Sequence, residues 1–124
     1  MPSSRQLSNV LSLLLAAFHS FCAQAHLTTK LTPTFAKLVE DSIPQHNEKV
    51  LWFLGVSDHV LNYVFLAMNV LIVVLVVPSR SRKLGLGVAL FLLCVGFYAD
   101  LKLGQSPAPH VVLIAVAGAA LALR

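Results

Sequence analysis

The sequence predicts an all-α integral membrane protein, a bundle of four transmembrane helices. Three observations carry that expectation. Val60 to Val77 is a run of eighteen residues without a formal charge, close to the roughly 20 apolar residues that a helix needs to cross a ~30 Å hydrocarbon core. A second apolar run, Leu84 to Leu103, follows directly after the basic hexapeptide Pro78-Ser79-Arg80-Ser81-Arg82-Lys83. The apolar residues also run continuously instead of alternating, which favours helices over a barrel.

Composition agrees. Hydrophobic residues make up 57% of the chain and charged residues 11%, against roughly 25% charged in soluble domains. One membrane domain, residues 1–124, accounts for the whole sequence, with spans near 7–27, 52–77, 84–103 and 108–123 and a polar loop over 28–51. The net charge of +4 is read as topology and not as nucleic-acid binding, because half of the basic residues flank apolar runs. Cys22 and Cys94 lie inside apolar segments without C-x-x-C spacing, so neither a disulfide framework nor a zinc site is indicated.

The first apolar segment, Leu7 to Leu27, supports two readings. Arg5, the apolar stretch Val10 to Phe21 and Ala23-Gln24-Ala25 fit a signal peptide cleaved after Ala25, which leaves three spans. Ser8, Ser12, Ala16 and Ser20 instead recur every fourth residue, forming a small-residue ridge suited to close helix packing, and His19 interrupts the apolar stretch. The second reading keeps the segment as a first helix.

Thr28 to Lys49 is polar and holds Pro33 and Pro44. Phe35 to Val39 predicts one or two helical turns lying at the membrane interface, stopped by Pro44, whose predecessor is biased away from helix. Trp52 and Phe53 mark a membrane–water boundary, and the second span is placed from there to Val77. The third span ends at Tyr98, Asp100 and Lys102, before the turn Gly104-Gln105-Ser106-Pro107-Ala108-Pro109. The fourth, with only about thirteen apolar residues from Val111 to Leu123, is short for a full crossing and rich in alanine.

Arg80, Arg82 and Lys83 are the topology-determining residues. Their concentration in one short loop predicts that this loop, and with it both termini, faces the cytoplasm. The compartment is not encoded in the sequence.

Polar groups within the spans are the places where chemistry can reside, since each is costly in hydrocarbon unless paired or facing a cavity. Asp58, Asn62 and Asn69 share one face of the second helix, and His19, Cys22, His26 and Lys30 share one face of the first. His19, Asn62 and Asn69 are the expected polar stripe of the bundle, and a neutral His19 imidazole bonded to Asn62 or Asn69 accounts for its depth. His26, Lys30, Asp58, His59, Asp100, Lys102 and His110 are expected near one membrane surface. There His26, Asp58 and Asp100 are acid/base candidates, because proton transfer needs groups of tunable pKa in a partly dry site. Ordinary boundary residues and ion pairs account for the same cluster without chemistry. No H-x-x-H, H-E-x-x-H or E-x-x-H spacing predicts a metal, and no Gly-rich phosphate loop, nucleophile elbow or c-type haem motif indicates a cofactor.

The exit of the first segment through Thr29-Lys30-Leu31-Thr32-Pro33, the amphipathic loop, three close-set helices and the stretch Phe97 to Gly104 leading to Pro109-His110 resemble the DoxX-like superfamily of small four-helix membrane proteins. The resemblance covers the layout of most of the chain and no catalytic motif. It implies a four-helix bundle, in a family associated with quinone-linked redox complexes or with assembly of other membrane proteins.

Two functions follow as expectations. The first is an accessory or assembly component of a membrane-associated complex or pathway, whose partners are the lipid bilayer and either another membrane protein or a second copy of the chain, with no nucleic acid. The second is a small membrane-embedded enzyme, of oxidoreductase or isomerase type, acting on a lipid-soluble substrate such as a quinone, sterol or secondary metabolite. A channel ranks below both, since one polar stripe per chain needs an oligomer to line a pore.

Overall fold

The structure, a computed structural model, describes all 124 residues. It has five α-helices and no strand: α1 (Ser4–Leu27), α2 (Pro33–Lys49), α3 (Asp58–Val76), α4 (Arg82–Leu103) and α5 (Ala108–Ala122). Three of them, α1, α3 and α4, are long and apolar enough to cross a membrane. At 15 residues α5 spans about 22 Å at 1.5 Å per residue, short of the hydrocarbon thickness.

Helix α1 starts at a capping box. The Gln6 N–H donates to Ser3 Oγ at 3.1 Å while the Ser3 N–H donates to Gln6 Oε1 at 2.7 Å, so two orphan donors of the first turn are satisfied. Its small-residue ridge is buried at Ser8, Ser12 and Ala16, where Ser8 Oγ donates to the Ala120 carbonyl at 2.6 Å. That bond sets the beginning of α1 beside the end of α5. Asn9 and Arg82 meet at the same end, and the helices form a ring in the order α1, α3, α4, α5 with each antiparallel to both neighbours. Both termini therefore lie at the end that carries the basic turn. Leu15, Ile72, Leu86, Leu93 and Ala117 fill the centre, whereas Leu14, Val74, Phe91 and Val112 face outwards, as an apolar lipid-facing surface requires.

Two segments differ from the sequence expectation. The 28–51 region is not a loop with one or two helical turns ended by Pro44, because α2 continues through Pro44 to Lys49. Burial explains this: Ala36, Ile43 and Val50 recur every seventh residue and are all buried. The helix caps the bundle by resting on α1, α3 and α4, and Phe21 stacks on Phe35 with ring centroids 4.8 Å apart. The backbone bond that Pro44 removes would have used the carbonyl of Glu40, an exposed residue whose carbonyl water can satisfy.

The second span likewise does not begin at Trp52. Trp52–Leu54 is a single 3-10 turn closed by Gly55 at φ +63°, a left-handed conformation suited to glycine. Helix α3 starts only at Asp58, where Ser57 Oγ accepts from the Val60 N–H at 3.2 Å. Serine at a helix N-cap is a stronger start signal than boundary aromatics.

Candidate functional site

Two helix faces meet at the end of the bundle away from the termini. On α1, His19 and His26 are seven residues apart; on α3, Asn62 and Asn69 are seven apart. Because the helices are antiparallel, the pairs match crosswise. His19 Nδ1 bonds Asn69 Oδ1 at 2.8 Å, and His26 Nδ1 bonds Asn62 Oδ1 at 2.8 Å. Seven residues are nearly two helical turns, so both bonds lie on one seam.

Each asparagine is fixed in turn. Asn62 Nδ2 donates to the His26 carbonyl at 3.1 Å, and Asn69 Nδ2 donates to the Phe65 carbonyl at 2.9 Å. With both amide nitrogens engaged as donors, each amide oxygen faces an imidazole and can only accept. Nδ1 must therefore carry the proton in both histidines. In the neutral ring that leaves Nε2 with a free lone pair, which makes it a hydrogen-bond acceptor and a base.

The two Nε2 atoms have different surroundings. His26 lines a cavity of about 820 Å³ between the end of α1, the buried side of α2 and the first turns of α3. Its lining joins apolar Ala25, Ala36 and Ile43 to Lys30, Asp58 and His59. Phe65 packs against His26 with centroids 5.9 Å apart, and on the other side meets His46 edge-on at 5.8 Å. His19 is 6% exposed, and its Nε2 has no hydrogen-bond partner.

Asp58 is held from α2. Asn47 Nδ2 donates to Asp58 Oδ1 at 2.8 Å and to the Val56 carbonyl at 2.9 Å, tying the end of α2 to the start of α3. Asp58 and Asn62 lie one turn apart on one face, so the carboxylate sits one turn from the amide that orients His26.

The structure thus brings His26, Lys30, Asp58 and His59 to one cavity and sets Asp100, Lys102 and His110 outside its lining. Asp100 on α4 is buried and paired with His110 Nδ1 on α5. The imidazole rests on Gly96, where any Cβ would strike His110 Nε2. This pair clasps α4 to α5. No group of three or more His, Cys, Asp or Glu side chains is arranged to hold a metal.

Arg82, grouped in the sequence with Arg80 and Lys83 as a topology-determining residue, is turned into the protein. It is 7% exposed, and Nε and Nη2 donate to the Val76 and Val77 carbonyls at 2.7 and 2.6 Å while Nη1 donates to Asn9 Oδ1 at 2.7 Å. It caps the end of α3, where carbonyls lack helical partners and the macrodipole favours a cation. Arg80 and Lys83 remain exposed.

With this geometry in hand, comparison with known proteins is informative. No protein-family model matches the chain, and no solved structure does. The sequence is 48% identical over 122 residues to cyclic ether formation enzyme xenC of Xenoacremonium sinensis, across 98% of this chain and 99% of that one. The chain belongs to the family of the cyclic ether formation enzymes. A second member, cyclic ether formation enzyme gkaZ of Penicillium citrinum, is 42% identical over 128 residues and matches along the full length of both chains. The match to both cyclic ether formation enzymes extends over α1 to α5.

Proposed function

We propose that the protein is a membrane-embedded enzyme that closes a cyclic ether in a lipid-soluble substrate, with His26 as the base. The single observation that carries this reading is that His26 lines the 820 Å³ cavity with its Nδ1 committed to Asn62, which leaves the Nε2 lone pair as its basic site. The names of the relatives favour it over the accessory component expected first.

Ether closure within one molecule needs a hydroxyl oxygen to attack a carbon of the same substrate. His26 Nε2 takes the hydroxyl proton as the C–O bond forms, and Asn62 keeps the accepting nitrogen aimed at the cavity. The electrons displaced from the carbon, as in addition to an electron-poor double bond or opening of an epoxide, move to an atom that must then receive a proton. Lys30 and His59, which line the same cavity, are the candidate donors, and the Asp58 carboxylate of that lining is the candidate partner for the imidazolium formed on His26. A positioned base of this kind contributes roughly 10²–10⁴-fold. The lining is mainly polar, with Glu40 and Asp41 beside Lys30 and Asp58, and Ala25, Leu27, Ala36, Val39 and Ile43 supply its apolar part for a hydrocarbon framework; holding the two reacting ends of the substrate together lowers the entropic part of the barrier.

In this reading α1 is retained in the mature protein, since it supplies both histidines. On this reading α5 is a short fourth span beside α1, α3 and α4, and the concentrated positive charge of the basic turn supports a cytoplasmic side for that turn and for both termini. Replacement in Penicillium citrinum tests the function. The coding sequence, put in place of that organism's cyclic ether formation enzyme, is expected to restore a cyclic ether product. Accumulation of uncyclised material despite membrane-localised protein overturns the reading.

A further inference from the structure

Helix α4 carries two glycines near its start, and packing within the bundle uses only one. A Cβ at Gly85 would come within 2.8 Å of Leu75 and Val76 on α3, whereas one at Gly87 meets nothing within 4 Å. Glycine is less favourable than alanine inside a helix, and no close approach within the bundle requires it at Gly87. Gly87 instead lines an outward-facing groove of about 580 Å³ between α3 and α4, with Met68 and Leu71 on one side and Val88 and Phe91 on the other. One charged residue, Lys83, completes that apolar lining, at the end beside the basic turn. Lys83 and Phe91 are eight residues apart, about 12 Å along the helix, so the groove leads from headgroup level into the hydrocarbon.

We infer that this groove binds an anionic phospholipid, with an acyl chain lying along Gly87 and the phosphate at Lys83. Charge decides the occupant. Lys83 has no carboxylate partner, since the ion pairs of the molecule are Lys37 with Asp41 and His110 with Asp100. All five acidic residues, Glu40, Asp41, Glu48, Asp58 and Asp100, lie toward the opposite end of the bundle. Arg82 spends its donors on the Val76 and Val77 carbonyls and on Asn9, which leaves Lys83 and the exposed Arg80 to meet an anion. A lysine stem lies along apolar surface while its ammonium stays in the headgroup layer, and one basic residue at an anionic leaflet is worth about fivefold in affinity. A zwitterionic lipid offers the same chain, but its own cation opposes Lys83. A second copy docked by a two-fold axis would set this basic patch against itself.

The inference uses no part of the His26 cavity, and its test is separate. The chain has two methionines, Met1 and Met68; Met68 lines the groove, and Met1 at the exposed terminus serves as the reference. The full-length protein, labelled with carbon-13 at its methionine methyls and stripped of lipid in a neutral detergent, is titrated with phosphatidylglycerol, with phosphatidylcholine of the same acyl chains, and with glycerol phosphate. Phosphatidylglycerol is expected to shift the Met68 signal with a midpoint about fivefold or more below that of phosphatidylcholine, and glycerol phosphate to leave it in place. Lys83→Gln should remove most of that preference, and Gly87→Leu, which fills the groove, should abolish the response to both lipids. Equal midpoints for the two lipids, a Met68 signal unmoved by either, or a preference that survives in Lys83→Gln overturns the inference. Movement by glycerol phosphate overturns the acyl-chain site, and a Met68 shift that follows protein concentration without lipid assigns the face to a second copy instead. Lys83→Gln alters an exposed side chain only, so its titration decides the matter even if Gly87→Leu fails to fold.

Discussion

His26 on α1 and Asn62 on α3 hold each other by two hydrogen bonds, Nδ1 to Oδ1 at 2.8 Å and Nδ2 to the His26 carbonyl at 3.1 Å. The pair joins two of the longest helices and fixes which ring nitrogen is free. Fold and proposed chemistry therefore meet in one contact, and the consequences can be measured separately.

Asn62→Leu removes the acceptor that keeps the proton on Nδ1. Interhelical hydrogen bonds in membranes are worth roughly 0.6 kcal/mol each, so the variant should remain folded. Its rate of ring closure should fall about tenfold or more, because the ring loses its aim at the substrate as well as its fixed tautomer. Helical content by circular dichroism together with product formation in membranes checks this; a normal rate in the folded variant contradicts the orienting role.

Arg82→Ala strips two donors from the end of α3 and a third from Asn9 on α1, each bond to a charged group being worth about 1.5–3 kcal/mol. Thermal unfolding in detergent should show Arg82→Ala as clearly the least stable of the basic-turn variants, with Arg80→Ala and Lys83→Ala close to wild type. Equal midpoints for all three would remove the helix-capping role.

Close packing predicts a graded glycine series. A Cβ at Gly85 would come within 2.8 Å of the Leu75 carbonyl carbon and of Val76 Cγ2, whereas one at Gly87 meets nothing within 4 Å. Gly85→Ala should cost about 1–3 kcal/mol and Gly87→Ala should be neutral or slightly stabilising. At Gly96 the obstacle is a side chain, so the loss in Gly96→Ala should be reduced in the double variant with His110→Ala. Additive losses would show that Gly96 and His110 do not interact.

The membrane surface holds one exposed ion pair whose pH behaviour has a definite sign. Asp41 raises the Lys37 pKa, first by its hydrogen bond at 3.0 Å and then by its charge. A raised lysine adds stability that is complete below its unfolded pKa and is lost as pH rises through its folded one, so any contribution persists at neutral pH and fades only in strongly alkaline solution. Exposed pairs are screened by solvent. Lys37→Met should leave the neutral-pH unfolding midpoint unchanged, and a large drop would mean that the pair anchors α2.

Much of this architecture is legible in the sequence, and its limits have physical causes. Continuous apolar runs locate α3 and α4 because lipid rewards length and absence of charge, and every-fourth-residue small side chains mark the buried ridge of α1. The seven-residue spacing of His19 with His26, and of Asn62 with Asn69, can be read directly from the chain. Which histidine meets which asparagine depends on the vertical offset of two antiparallel helices, and that is set by packing far from either residue. Arg82 is indistinguishable from Arg80 as a basic residue; it is separated only by the register that points it back at α3. The continuation of α2 through Pro44 was masked by a local rule that burial of Ala36, Ile43 and Val50 overrides. Their seven-residue recurrence was the available signal.

The intact mass of the purified protein decides whether α1 can contribute at all. Retention predicts a chain near the full 13.4 kDa, with His19 and His26 present. Loss of the first 25 residues would remove His19 and leave His26 at a new amino terminus.

The most direct measurement of the central claim is the rate of ring closure by His26→Gln in membranes of the Penicillium citrinum replacement strain, with Asp100→Asn alongside. Glutamine keeps a polar group at the position without a basic nitrogen. The account predicts a fall of roughly 10²-fold or more for His26→Gln, in the range a general base supplies, at wild-type protein levels, with a much smaller effect for Asp100→Asn. A His26→Gln rate within a factor of about two of wild type, far below what a general base contributes, would contradict it.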